Sequence, residues 1–251
     1  MSYLPRDFIE TEEGLIFAVV DGQPEDGKVL AFLRYGSAGK VSTDAANSLL
    51  REHHPHYLHH SRRLDAKLHA VPIVHVQRHH RPRARVREIV SRGAGDAIEA
   101  KLLRLLALLA EGGVPLDSVG VTGSLLIGRQ KPSSDIDLVI YGRENFFHAR
   151  QWVRRLVEAV RLSDLDEAAW LDAYARRGCE LGYEEFLRHE HRKGNKGMIE
   201  GTKFDLALIV EETEPEPSAH WRKTGTALIR ARVLDDSRAY DQPARYLTDH
   251  P

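Results

Sequence analysis

Between Ser134 and Ile140 the chain reads Ser-Asp-Ile-Asp-Leu-Val-Ile, and this run narrows what the chain can fold into more than any other. Side chains alternate along a strand. Asp135, Asp137 and Val139 therefore share one face, and Ile136, Leu138 and Ile140 the other. Two carboxylates converging near the start of an otherwise apolar strand cost stability unless a cation neutralises them. A divalent-ion site is the economical explanation, and hard oxygen ligands point to Mg2+ or Mn2+.

A third acid recurs in the same setting. In Lys203-Phe204-Asp205-Leu206-Ala207-Leu208-Ile209, the residues Phe204, Leu206 and Leu208 form the apolar face and Asp205 the opposite one. Upstream of the acidic pair, Gly123-Ser124 follows a short strand predicted from Ser118 to Val121. A glycine there lets backbone amides approach a ligand closely, and a serine hydroxyl holds a phosphate oxygen.

The apolar periods around these strands predict helices. Ile98, Leu102, Leu105, Leu106 and Leu109 recur at helical spacing from about Asp96, and Gly112-Gly113 stops them. Phe146, Ala149, Val153, Leu156, Val157 and Val160 mark a buried stripe on a helix over 145–161, and Ser163 is placed to cap a helix running to about Arg176. Trp152, Trp170 and Tyr174 read as core residues on those helices rather than as base-stacking platforms. Pro82 suits the first turn of a helix reaching about Val90. At the N-terminus, Leu15 to Val20 and Val29 to Tyr35 flank a turn-forming segment and predict a β-hairpin. Alternating segments at 226–234 and 244–247 predict strands near the C-terminus. A hairpin alone is too small to be stable, so the two chain ends are expected to form one small β module.

The organisation expected is thus an N-terminal hairpin module over 1–40, a basic connecting segment over 41–95, a catalytic domain over 96–210, an acidic, proline-rich linker over 211–217, and a C-terminal β segment over 218–251. The fold class is α/β in the broad α+β sense, a mixed sheet with flanking helices. At 251 residues with 42% hydrophobic content the chain buries a real core. No apolar run is long enough for a membrane helix. A lone Cys179 forms no intrachain disulfide, and with no signal-peptide pattern at the start, a reducing cytoplasm is the default.

With 36 Lys and Arg against 37 Asp and Glu, the charge balances overall but not locally. Between Arg51 and Arg92 stand ten Lys and Arg against three acids, Glu52, Asp65 and Glu88, together with nine histidines from His53 to His80. Such a segment suggests an anionic partner. Arg81, Arg83 and Arg85 are candidates to track a phosphate backbone, although part of that run is ordinary helix amphipathicity. His191 to Gly197 has no apolar period and reads as a basic loop, whose Arg192, Lys193 and Lys196 are candidates to clamp pyrophosphate or an acceptor. The histidines around Pro55 read as solvated or phosphate-facing rather than as a metal site, since proline breaks helical ligand spacing.

The order Gly123-Ser124, then Asp135-Ile136-Asp137, then Asp205 resembles the polymerase-β-like nucleotidyltransferase superfamily over roughly 96–210. The segments Val71-Pro72, Arg81 to Ile89 and Ala231 to Asp241 are more loosely similar to a group of archaeal-type predicted nucleotidyltransferases. The resemblance implies that Asp135, Asp137 and Asp205 are catalytic and hold two metal ions, and that Gly123 and Ser124 hold the terminal phosphates of a nucleoside triphosphate such as ATP. The residue that is arginine in many small members is Ile127 here, and Arg129 or Lys131, with Ser134, are the candidates to take over phosphate contacts. The expected reaction moves a nucleoside monophosphate to a hydroxyl, with an RNA or DNA 3′ end favoured by the basic segment. The alternatives are modification of a protein or small-molecule hydroxyl, or a nucleic-acid-binding protein without turnover.

Overall fold

The computed structural model describes residues 2–211 and 221–250. The chain divides into two compact units, Met1–Arg81 with Ile209–Pro251, and Pro82–Leu208.

The first unit is built on an antiparallel sheet of seven strands. In chain order these are β1 (Phe8–Thr11), β2 (Ile16–Val19), β3 (Lys28–Gly36), β4 (Gly39–Lys40), β5 (Leu58–Ser61), β6 (Ala66–Pro72) and β7 (Val76–His80). They lie in the order β5-β6-β3-β2-β1-β7, with β4 also on β3. The predicted hairpin is β2–β3, and its loop closes where Glu25 and Lys28 exchange backbone hydrogen bonds around Asp26 and Gly27, both at positive φ. That is the Asp-Gly chemistry a tight hairpin turn demands. Helix α1 (Thr43–His53), capped by Ser42, sets Ala46 and Leu50 into a core with Ile9, Phe17, Val29, Leu33 and Val71.

The histidine-rich segment is not a connector. It supplies β5, β6 and β7; around Pro55, His53 and His56 are exposed as expected, while three later imidazoles are internal partners. His69 is buried; its Nδ1 accepts the Leu33 N–H at 2.9 Å while Nε2 lies 3.1 Å from Asn47 Oδ1, which fixes a neutral ring donating through Nε2. Burial pushes its pKa down. His79 meets Asp7 at 2.7 Å and His80 meets Glu10 at 3.0 Å across the β1–β7 pair.

The second unit carries a four-stranded sheet in the order β10-β11-β9-β8, formed by β8 (Val119–Val121), β9 (Ile136–Tyr141), β10 (Lys196–Ile199) and β11 (Thr202–Ile209). β8 runs antiparallel to β9 and β10 antiparallel to β11. Around it stand α2 (Pro82–Arg92), α3 (Ala97–Glu111), the single turn α4 (Gly123–Leu126), α5 (Arg143–Glu158), α6 (Glu167–Arg177) and α7 (Tyr183–Lys193). The predicted stripe of α3 is buried, and Asp96 caps it by accepting from the Ile98 and Glu99 N–H groups. Phe146, Ala149, Val153 and Leu156 of α5 are buried as expected. Val160 is not: it lies beyond the helix end at φ 57°, largely exposed. The cap of α6 is Asp166 rather than Ser163, which instead bridges to Met198.

This unit begins at Pro82, not at 96, because α2 packs against β8. A Cβ on Gly120 of β8 would lie 2.6 Å from Pro82 Cβ and 2.9 Å from Val139 Cγ2. Only a residue without a side chain lets the helix start rest on the strand. At the other end of the chain, β12 (Val233–Asp235) and β13 (Leu247–Thr248) pair with each other, not with the N-terminal hairpin. The two ends do belong to one compact unit, but β6 and β1 flank the hairpin in the sheet. The linker expected at 211–217 lies outside the described residues from 212 onward.

Candidate active site

Gly123 follows β8 and opens α4 at φ 66°, a left-handed conformation that suits glycine. A Cβ there would stand 2.3 Å from Asp137 Oδ2, so this carboxylate lies directly against the glycine backbone. The Thr122 N–H donates to the Asp137 carbonyl at 2.9 Å, tying the turn to β9. Asp135, just before β9, and Asp137 face the same way by strand alternation.

On the neighbouring strand β11, Lys203 and Asp205 are two residues apart and share a face. Lys203 Nζ lies 3.4 Å from Asp135 Oδ2 and 3.9 Å from Asp205 Oδ2. Two acids seventy positions apart in the chain thus meet around one ammonium, with Asp137 and the Gly123 turn one step along β9. Burial pushes the Asp205 carboxyl above its ordinary pKa; Lys203 and Lys196 pull it back down and the Asp135 charge adds to the rise.

Do these residues suit a divalent metal? Among the described residues, no three His, Cys, Asp or Glu side chains are gathered around one point at ligand distance. The donors are nevertheless hard carboxylate oxygens, and Asp205 Oδ1 is buried without a hydrogen-bond partner. A buried carboxylate oxygen left so is costly, and a cation that takes up its lone pair removes the cost. The donor set fits Mg2+ or Mn2+.

The turn is held from behind by a buried ionic network. Arg85 of α2 donates through Nε to the Leu125 carbonyl at 2.9 Å and through a terminal nitrogen to Glu99 at 3.0 Å. Glu99 also receives Arg92 at 2.5 Å and the Gly95 N–H at 2.7 Å. Burial alone would raise the Glu99 carboxyl; these donors hold it below its usual range. Gln130 closes the far side by donating to Asp96 at 2.6 Å, and the Arg129 N–H donates to the Ser124 carbonyl.

A family model described as "Nucleotidyltransferase domain" matches residues 106–217, a span that contains Gly123, Ser124 and all three acids. An uncharacterised protein of Methanocaldococcus jannaschii is 35% identical over 268 residues, covering 96% of this chain and 79% of the relative. The chain belongs to the nucleotidyltransferase family. No solved structure matches it. The family generally uses divalent metals, and its domain is that of a transferase of nucleoside monophosphates from nucleoside triphosphates. No helix among the described residues is long and apolar enough to cross a membrane.

In this nucleotidyltransferase, several of the cations read as nucleic-acid contacts are in use elsewhere. Arg83 stacks on the Tyr141 ring, its guanidinium carbon 3.7 Å from the centroid. Arg85 is the brace of the turn. Arg81 is exposed and lies 3.4 Å from His79 Nδ1. The basic loop expected at 191–197 is instead the end of α7, a left-handed cap at Gly194, and the start of β10. Lys196 and Lys193 both pair with Glu190. The carbonyls of Arg192 and Lys193 accept from Arg150. Among the phosphate candidates, Arg129 and Lys131 are exposed, while the Ser134 hydroxyl accepts from the Lys131 N–H in the turn that leads into Asp135.

Two residues escaped sequence reasoning. Lys203 was visible as a lysine two positions before Asp205, on the same strand face. Arg85 was hidden because an arginine in a basic run gives no sign that it faces inward. Trp152 was legible as structural, and its indole covers Gly112 and donates to the Leu108 carbonyl at 2.7 Å.

Proposed function

We propose that this nucleotidyltransferase moves a nucleoside monophosphate from a nucleoside triphosphate to a hydroxyl acceptor, a nucleic-acid 3′ end, with Asp135, Asp137 and Asp205 holding Mg2+ or Mn2+ ions in a two-metal arrangement. The observation that carries this reading is the meeting of Asp135 and Asp205 around one ammonium, beside Asp137 and the Gly123 turn. When bound, divalent ions offset charge on the triphosphate and make the attacking hydroxyl more acidic.

The residues of the chain do the rest. Gly123 lets backbone amides approach the terminal phosphates without a side chain in the way, and the Ser124 hydroxyl adds a donor. The acceptor oxygen bonds to the α-phosphorus, the bond to the β-phosphate oxygen breaks, and pyrophosphate leaves. The proton of the acceptor goes to Asp205, the third acid of the site.

The test is incubation with α-labelled nucleoside triphosphates, Mg2+ and candidate acceptors. Label transfer should fall at least about a hundredfold in Asp135→Asn, Asp137→Asn and Asp205→Asn, since each removes a carboxylate that would hold a divalent ion against the triphosphate. Label transfer unaffected by these changes would refute the assignment. A nucleic-acid acceptor also predicts affinity that drops steeply with salt; a flat salt response would replace it with a protein or small-molecule hydroxyl.

A further inference from the structure

Beside the three acids, one mostly covered cation, Lys203, has no role in the proposed reaction. We infer that Lys203 is a positioning residue: its ammonium spans the β9–β11 seam, holds Asp135 and Asp205 together before a divalent ion arrives, and thereby sets how tightly the site takes such an ion. This rests on the proposed function.

Geometry carries the inference. The Lys203 side chain is 11% exposed, against 37% for Asp135 and 31% for Asp205, so the lysine lies deeper than either acid. It reaches one carboxylate on each strand. The other lysines that act on Asp205 have a carboxylate of their own: Lys196, directly opposite Asp205 in the β10–β11 register, and Lys193 both pair with Glu190. Glu190 is mostly buried, and its carboxyl, which burial alone would raise, is held below its usual range chiefly by the Lys196 and Lys193 ammoniums. Lys203 differs from both in that its ion pairs run to Asp135 and Asp205 themselves. An ammonium a few ångströms from an incoming ion repels it, while without that ion it is what keeps two like charges side by side. A lysine serving only to join two strands would support the fold and leave ion affinity unchanged.

The experiment is a Mn2+ titration of the full chain without nucleotide, with free Mn2+ followed by electron paramagnetic resonance and melting temperature recorded with and without the ion. Lys203→Met should melt lower than wild type without Mn2+ and bind Mn2+ at least about tenfold more tightly, a floor set by the weak, water-screened limit for one charge at this range. Its Mn2+-induced rise in melting temperature should exceed that of wild type. Lys203→Arg, which keeps the charge, should restore wild-type affinity. If Lys203→Met does not fold, Lys203→Gln carries the same expectation. Wild type that binds Mn2+, loses it in Asp205→Asn, and shows the same affinity in folded Lys203→Met would overturn the role of Lys203 while leaving the site intact. Wild type that takes up no Mn2+ at all would overturn both.

Discussion

Gly123→Ala separates the two demands that the structure places on one residue. The first is conformational. At φ 66° an alanine sits in the left-handed region, which costs about 1–2 kcal/mol for a residue with a Cβ. The second is steric and chemical. The added methyl carbon would lie 2.3 Å from Asp137 Oδ2, whereas ordinary contact begins near 3.4 Å. The carboxylate oxygen must therefore retreat by roughly 1 Å, a misplacement that costs on the order of a hundredfold in rate when it falls on a positioned catalytic group.

Gly201 supplies the control. It lies in the same unit, in the β10–β11 hairpin, at φ 73°, and a Cβ there would meet nothing within 4 Å. Gly201→Ala should lose stability by about the same 1–2 kcal/mol through its backbone alone and keep its activity. Urea unfolding of both variants beside label transfer from an α-labelled nucleoside triphosphate makes the comparison. The expected result is similar midpoints and a rate for Gly123→Ala at least tenfold below that of Gly201→Ala, with about a hundredfold anticipated. Equal activities in the two variants would show that the contact between Gly123 and Asp137 does not matter to the chemistry, and the placement of Asp137 in the site would fall with it.

Other perturbations test the supports. Because Glu99 is held below its ordinary value in the fold, its stabilisation is complete above about pH 4.3, the usual glutamate value, and is lost as pH falls through the depressed one. Urea midpoints of wild type and Glu99→Gln should therefore differ at neutral pH and converge in acid; parallel curves would refute this. Arg85→Met strips Glu99 and the Leu125 carbonyl of a buried donor and should cost about 3 kcal/mol by denaturant titration. Gly120→Ala drives a methyl into Pro82 and Val139 and should cost about 1–3 kcal/mol, again by denaturant titration. Arg83→Ala should lower stability by about 1 kcal/mol through loss of the Tyr141 stack and leave retention on heparin unchanged, since that charge is turned inward.

Legibility in the sequence tracked how local the physical cause was. The strands of Asp135, Asp137 and Asp205 could be read because alternation with apolar neighbours is a two-residue rule, and the stripe of α3 because its leucines keep helical period. Of the sheet in the first unit, local pattern shows only one hairpin. β7 pairs with β1 at a separation of some seventy residues, and no local pattern in Val76-Gln77-Arg78-His79-His80 announces that Asp7 and Glu10 will meet its histidines. The segment 191–197 lacked an apolar period because its order comes from elsewhere: Glu190 collects Lys193 and Lys196, and Arg150 binds the helix-end carbonyls. Charge pairing across elements leaves no period to read.

Part of the basic segment serves the fold of the site rather than a ligand. A run of arginines next to a nucleotide-handling domain invites a polyanion, yet Arg85 holds the carbonyl of Leu125, one residue past Ser124, and is itself fixed by Glu99 from α3. Glu99 is buried and shared by two guanidiniums, so moving either arginine to a phosphate would take an ion pair from a carboxylate in the interior. The turn that bears Gly123 and Ser124 is therefore braced by the very charges that seemed destined for substrate. Such a brace gives the site what a single-turn helix lacks on its own, a fixed position relative to β9, and positional accuracy is what phosphoryl transfer requires of a protein. If a polyanionic acceptor is bound, its phosphates must be met by cations outside this network.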